Sequence, residues 1–372
     1  MDVLVTGAAG FIGSEFVRHV LEARPEWRLT LLDALRYAGR FENLSGVGSG
    51  LETVAVRGHV PPKAAEKALG PLGLVPLEEL PGKAKDPSRK PGSPLLLVLG
   101  DVADALLSQT LVPAVDAVVH FAAETHVDRS LQDPGPFVWT NVQGTCALLE
   151  GARRSPNLGR FLHVSTDEVY GDAAETGPLD EDSPLRPCNP YSVTKAAAEQ
   201  MVGAYARAWK IPAVVVRPTN NFGPRQFPEK FVPTVTTRAL LGERVPLYGD
   251  GRQVRDWLHV GDTARAVRLV LERGQVGGTY NVAGRNPMEN RDVARTVLRM
   301  LGLGEDRVEH VEDRPGHDRA YFVNDDRIRA ELGFENTPGF ESLLESTVEW
   351  YRENQAWWMP LVDRLDKEGK AG

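Results

Sequence analysis

The chain has 372 residues, 42% of them hydrophobic and 25% charged. That is an ordinary soluble, globular balance, enough for one large α/β domain or for a nucleotide domain with a smaller partner. A formal net charge of −8 argues against a nucleic-acid grip built on phosphate neutralisation, but leaves room for an anionic small molecule in a local basic pocket. Two cysteines, Cys146 and Cys188, make neither a disulfide framework nor a zinc site. The first residues enter a strand with no basic n-region or cleavage site, and no apolar run approaches the roughly 20 residues that span a bilayer. The expectation is a cytoplasmic protein with no metal and no membrane or nucleic-acid partner.

In chain order, the predicted strands are Val3–Val5, Leu29–Leu32, Leu95–Leu99, Ala117–Phe121, Phe161–Val164 and Ala213–Val216. Helical spacing fills several of the gaps, as in Phe16, Val17, Val20 and Leu21. Continuous apolar strands separated by helices predict a parallel sheet covered on both faces. The stretch from about Glu52 to Ser93 breaks the rhythm. It is rich in Pro and Gly and holds five of the ten lysines: Lys63, Lys67, Lys83, Lys85 and Lys90. It reads as a surface excursion contributing little core, with a short helix near Lys63–Leu69. After Arg217 prolines and aromatics become frequent and the alternation weakens. The expected division is residues 1–218 as a dinucleotide-binding domain and 219–372 as a smaller, partly interleaved substrate-binding domain. A last helix over Phe340–Asn354 keeps Phe340, Leu343, Leu344, Val348 and Tyr351 on one face.

The first strand runs into Gly7-Ala-Ala-Gly10-Phe-Ile-Gly13 and then a helix. Glycines let the backbone turn sharply and approach a pyrophosphate, and the helix N-terminus offers N–H groups and a positive dipole end. The alternative is a glycine turn that binds nothing. Against it, the second strand ends at Asp33, 20 residues after Gly13, where a carboxylate accepts ribose hydroxyls and repels a 2′-phosphate. NAD is therefore favoured over NADP, with Arg36 close enough to soften the preference. Asp101 is a candidate for the adenine edge, and Ala122-Ala123 lets a cofactor lie across the sheet edge. The fold class is thus a Rossmann-type, doubly wound parallel sheet with a smaller C-terminal domain.

Tyr191 and Lys195 form a Tyr-x-x-x-Lys pair on a predicted helix, where i and i+4 share a face. A lysine ammonium there stabilises a phenolate able to remove a hydroxyl proton. Just before it, a strand ends in Ser165-Thr166-Asp167-Glu168. One reading is a helix N-cap with acids facing the dipole. The other is a catalytic pair, which requires the chain to leave strand geometry here, since adjacent strand residues face opposite ways.

These pieces resemble the extended short-chain dehydrogenase/reductase superfamily and, within it, the dTDP-glucose 4,6-dehydratases. The resemblance runs almost end to end. It is carried by Val5–Gly13, Tyr37–Leu44, His120–Ser130, Ser165–Gly171, Asn189–Lys195, Arg217–Lys230, Arg255-Asp-Trp257 and Asp313–Arg319. Sugar 4-epimerases of the superfamily share the glycines and Tyr-x-x-x-Lys but lack both acids. The resemblance implies a hydro-lyase with a recycled NAD. Tyr191 takes the sugar 4-hydroxyl proton as hydride leaves C4, with Thr166 hydrogen-bonding that oxygen. Glu168 removes the C5 proton, Asp167 protonates the departing C6 hydroxyl, and hydride returns to C6. Two close carboxylates push their pKa values apart, which suits this split.

Carried over by position, the resemblance adds Phe11, Ile12, Val102, Phe121, Thr140 and Asn221 to the cofactor set. It assigns Thr125, His126, Asn220, Lys230, Phe231, Pro246, Tyr248, Asn281 and Tyr321 to the nucleotide sugar, with His317 near the nucleoside. Arg255 and Arg314 are expected to neutralise its diphosphate. The resemblance also implies a homodimer through four helices near Val142–Arg153 and Tyr191–Ala208. One departure is the 52–93 segment, some 30 residues longer than expected, read as a lid, a partner site or a neutral loop. The competing functions are a modifier of a UDP-linked sugar and a catalytically silent NAD sensor. A sensor needs none of Tyr191, Lys195, Asp167 and Glu168.

Overall fold

In the computed structural model, which describes residues 1–48, 50–56, 73–86, 95–314 and 316–370, the six predicted strands lie in one parallel sheet. Its members are β1 (Asp2–Thr6), β2 (Arg28–Asp33), β3 (Leu51–Val56), β4 (Gly73–Val75), β5 (Leu95–Leu99), β6 (Ala117–His120), β7 (Arg160–Val164) and β8 (Ala213–Pro218). After β9 (Asn220–Phe222), β10 (Val245–Tyr248) and β11 (Val254–His259), a late strand, β12 (Thr279–Val282), joins them. The order is β12-β8-β7-β6-β1-β2-β5-β3-β4. The chain order reverses at β1, which pairs β2 on one side and β6 on the other. A crevice opens beyond the carboxyl ends of the strands at such a point, and there open α/β sheets bind ligands.

The strands are mostly apolar, and β1, β5 and β6 are buried at every position, with Asp2, Thr6 and His120 the polar residues at the ends of β1 and β6. One face is covered by the helix Phe11–Ala23, whose Phe16, Val17 and Val20 are buried. Against it packs the helix Val260–Arg273, whose Ala264, Val267 and Val270 join the same core. The opposite face is covered by helices Ala105–Leu111, Gly144–Arg153 and Pro190–Trp209. Two small sheets follow: β10 pairs β14 (Val308–Val311), and β11 lies between β9 and β13 (Pro287–Glu289). The helix Phe340–Glu353 buries Leu344, Val348 and Tyr351. A further helix, Gln355–Lys370, carries Pro360 inside it and buries Trp358.

The 52–93 segment is more structural than its composition suggests. Strands β3 and β4 extend the sheet beyond β5, and Val54, Ala55, Val75, Leu80 and Ala84 are buried. Short apolar runs set among Pro, Gly and Lys add core there because they find the open edge of β5. The described helix is Leu80–Ala84; the one expected near Lys63–Leu69 lies outside the described residues.

Candidate active site

The first turn after β1 and the helix behind it leave no room for a side chain at two glycines. Gly7 sits at φ +68°, and a Cβ on it would stand 2.6 Å from the backbone nitrogen of Ala122; on Gly13 it would stand 2.2 Å from the Gly7 carbonyl oxygen. The helix that follows starts at Gly10 with no side-chain cap, so its first N–H groups face the crevice unclaimed by a side chain. At the end of β2, Asp33 accepts the N–H groups of Ala9 and Leu35, each at 2.8 Å. Burial pushes its carboxyl up, and these two bonds pull it back. Arg36 is committed elsewhere: it pairs with Asp101 at 3.1 Å, and Trp139 Nε1 donates to the same carboxylate at 3.2 Å. A glycine cradle, an uncapped helix start and a carboxylate at the next strand end together fit a dinucleotide.

All the residues assigned to the cofactor line one open cleft, whose non-protein space, open solvent at its mouth included, is about 1570 Å³. Thr166, Asp167, Glu168, Tyr191, Lys195, Thr125, Asn220 and Lys230 line it too. Among these, Asn221 accepts the Thr263 hydroxyl at 2.6 Å, and the Lys230 ammonium donates to the Thr125 carbonyl at 2.7 Å.

Past Val164 the chain leaves strand geometry. Thr166 caps a single 3-10 turn, Asp167–Tyr170, and its hydroxyl accepts the Glu168 N–H at 3.3 Å. The chain thus makes the cap, and that turn brings both acids to one cleft. Their surroundings differ. Burial, then the Glu168 charge, pushes the Asp167 carboxyl well above the usual range. Burial raises Glu168 too, but the cations Arg255, Lys230 and Arg314 pull it down. One Asp167 oxygen accepts from Thr166 at 3.2 Å, while the other is buried with no hydrogen-bond partner.

The helix Pro190–Trp209 begins in a capping box of Asn189 and Ser192, with Pro190 at its first position. The Ser130 hydroxyl accepts the otherwise orphaned N–H of Tyr191 at 3.2 Å. Lys195 is 3% exposed and donates to the Val164 carbonyl at 2.7 Å. Burial brings its ammonium down to about 8, partly offset by the Glu199 charge. The expected lowering of Tyr191 is not found. Burial and the two acids hold the phenol above its ordinary value, while Thr166 hydrogen-bonds it and pulls the other way.

Several residues assigned to substrate lie outside the cleft lining. Asn281 is a correction. It is fully buried, accepts from the Tyr170 hydroxyl at 2.8 Å and donates to the Leu179 and Asn324 carbonyls. Those bonds tie β12 to the turn after the acids and leave its amide committed inside the fold. Arg255 spends its guanidinium on the Val254 and Asp318 carbonyls, at 2.8 and 3.0 Å, and lies over the Tyr321 ring; its charge acts on the acids. The Tyr321 hydroxyl donates to Asp318. Arg314 lies over Tyr248 and 3.4 Å from Asp128, and His317 bonds Asp313 at 2.6 Å. His126 Nε2 is 3.5 Å from Glu229, and burial brings the ring down to about 2, so it offers no cation to a phosphate. Phe231 packs on Trp257, and Pro246 sits in β10 opposite Glu309.

Sequence reasoning passed over Tyr37, Glu124, Phe227 and Glu229, which line the cleft, and Glu199 behind it. Tyr37, Glu124, Phe227 and Glu229 lie inside the pieces that carry the resemblance. Glu199 stands one further turn beyond Lys195.

Fold and cleft together define a dinucleotide-dependent enzyme of the Rossmann type with an acid pair at its reactive end. The profile described as the NAD dependent epimerase/dehydratase family matches residues 3–283. A dTDP-glucose 4,6-dehydratase of Streptomyces niveus is 42% identical over 376 aligned residues, covering 100% of this chain and 99% of its own. The crystal structure of DesIV, a dTDP-glucose 4,6-dehydratase from Streptomyces venezuelae with NAD bound, superposes with a TM-score of 0.82 at 40% identity. It covers 97% of this chain and 100% of its own. The UDP-glucose 4-epimerase of Thermus thermophilus in complex with NAD follows at a TM-score of 0.76 and 27% identity, covering 95% and 100%. The chain belongs to the NAD dependent epimerase/dehydratase family and, within it, to the dTDP-glucose 4,6-dehydratases.

Proposed function

We propose that the chain dehydrates dTDP-glucose to dTDP-4-keto-6-deoxyglucose with NAD as a resident cofactor. The observation that carries this reading is the unequal setting of two adjacent acids in one cleft: the Asp167 carboxyl is pushed well above the usual range by burial and the Glu168 charge, and Glu168 is faced by three cations. A general acid and a general base are needed at once to remove water across C5 and C6. Gly7, Gly10, Gly13, Asp33 and Lys195 would hold the cofactor, which when bound would supply a hydride acceptor for C4 and a hydride donor for C6. Tyr191 accepts the 4-hydroxyl proton, with Thr166 beside it. Glu168 takes the proton at C5, made acidic by the C4 ketone, and later returns it. Asp167 gives its proton to the C6 hydroxyl, which leaves as water. The proton gained by Tyr191 must pass to Asp167, directly or through solvent, to restore both groups for the next turnover.

The test is the product mass from dTDP-glucose without added NAD, with UDP-glucose as a parallel arm. Loss of one water from the dTDP sugar is expected; an unchanged mass, or reaction of the UDP sugar alone, overturns the reading.

Residues 1–218 serve the dinucleotide and 219–372 the nucleotide sugar in this reading, and the protein works in the cytoplasm as a homodimer. Among the described residues no helix is long and apolar enough to cross a membrane. Val138 and Trp139 (each 52% exposed), Val193 (47%) and Trp209 (49%) lie on or beside the helices Gly144–Arg153 and Pro190–Trp209. Such apolar exposure is what a two-fold helical interface covers. Sedimentation at micromolar concentration is expected to give a dimer, and a monomer alone overturns it.

A further inference from the structure

The loop from Ala34 to Arg40 follows the Asp33 strand, and its residues Ala34, Arg36, Tyr37, Ala38 and Gly39 line the cleft. Its backbone is unusual. Leu35 and Tyr37, neither of them glycine, sit at φ +47° and +45°, a region that side chains avoid unless their surroundings hold them there. Asp33 fixes one end by accepting the Leu35 N–H.

The other restraint comes from distant parts of the chain. The Arg129 guanidinium lies 3.7 Å from the centre of the Tyr37 ring. Arg364, in the last helix, lies 5.4 Å from the same ring and donates to the Tyr37 carbonyl at 3.2 Å. The Phe227 ring is 4.9 Å from Tyr37, and Arg364 also lies over it, at 5.2 Å. Two turns earlier, Trp357 lies under Arg40 of the same loop, at 5.2 Å.

We propose that Arg129 and Arg364, closing on the Tyr37 ring, are positioning residues that form a latch. It holds the Ala34–Arg40 loop against the dinucleotide cleft and slows cofactor release. Two cations on one aromatic ring, with a hydrogen bond to its carbonyl, restrain a backbone that would otherwise relax. Release of a dinucleotide requires that loop to move, so the last helix governs how long the cofactor stays. This inference rests on the NAD reading above.

The experiment uses the full-length protein and NAD itself. It measures NAD content after purification, the NAD dissociation rate after dilution into a competing dinucleotide, and Tm in the absence of NAD. Arg364→Ala and Tyr37→Ala are expected to release NAD about tenfold faster, equivalent to about 1.4 kcal/mol. Tyr37→Phe, which keeps the ring, stays within about twofold, and Arg364→Lys falls between. The double variant Tyr37→Ala/Arg364→Ala is no faster than the quicker single variant, because both act through one contact. A wild-type release rate in Arg364→Ala, additive effects in the double variant, or a faster release fully matched by a lower cofactor-free Tm overturns the latch. A wild-type protein that binds no NAD overturns the NAD reading first and the latch with it.

Discussion

Asp167 and Glu168 are joined by one peptide bond, yet only Glu168 faces a ring of cations. The side chain of Asp167 is unfavourable to the fold at neutral pH, and the linkage gives a sign that can be measured. Its folded-state pKa lies above the unfolded value. Its contribution to stability is therefore fully present only below the unfolded pKa, and is lost as pH rises through the folded one. Asp167→Asn should raise Tm at pH 7, by about 2–4 °C for each kcal/mol gained. The gain should fade to nothing below about pH 4, where aspartic acid is neutral in both states. Thermal melts across pH check this, and an equal effect at all pH values would refute it. Turnover of the same variant should fall about 10²–10⁴-fold, as expected for loss of a general acid. Glu168→Gln should fall similarly and should also lose exchange of the C5 proton with solvent, which mass spectrometry reads.

The helix Pro190–Trp209 organises the reactive end of the cleft through one stripe: Tyr191, Lys195 and Glu199 at i, i+4 and i+8. Glu199 forms a two-pronged ion pair with Arg217, buried on both sides. Arg217 also reaches the Tyr170 hydroxyl and lies over that ring, at the end of the turn that begins with the acids. Helix and acid turn are thus tied through one guanidinium. Glu199→Gln should cost about 3–5 kcal/mol of stability by leaving Arg217 buried without its counter-charge, measured by urea unfolding. Because the Glu199 charge supports the Lys195 ammonium, which burial brings down to about 8, an alkaline limb of kcat/KM is expected near that pH and should move to lower pH in this variant. An unshifted limb would separate Glu199 from the lysine. Much at this scale was legible in the sequence. The six long strands are continuous apolar runs, and the glycine turn and the Tyr-Lys stripe follow local rules of backbone and helix geometry. What stayed hidden depends on partners far away in the chain. β3 and β4 become strands by pairing at the open edge of β5. Asn281 is settled by Tyr170, 111 residues distant. The last helix is masked by its internal Pro360, and its bearing on Tyr37 is a tertiary contact with no local signature.

The whole molecule is assembled by interleaving. β12 comes from beyond residue 218 yet completes the large sheet at β8, and the helix Val260–Arg273 covers the glycine-loop helix Phe11–Ala23. This has a consequence for how the protein is made. A ribosome that has delivered the first 218 residues has delivered a sheet with an open parallel edge and an uncovered apolar face bearing Phe16, Val17 and Val20. Such intermediates are sticky. The nucleotide-binding half is finished only after Val282 emerges, and its last strand is the one that Asn281 ties to the acid turn. A fragment of residues 1–218 is therefore expected to aggregate on expression, whereas one ending beyond Asn336, whose amide donates to the Ala283 carbonyl just after β12 at 3.0 Å, should retain far more soluble material. Synthesis order and catalytic competence meet in one late strand: the nascent enzyme acquires its cofactor-binding fold and its braced acid pair in the same moment of translation.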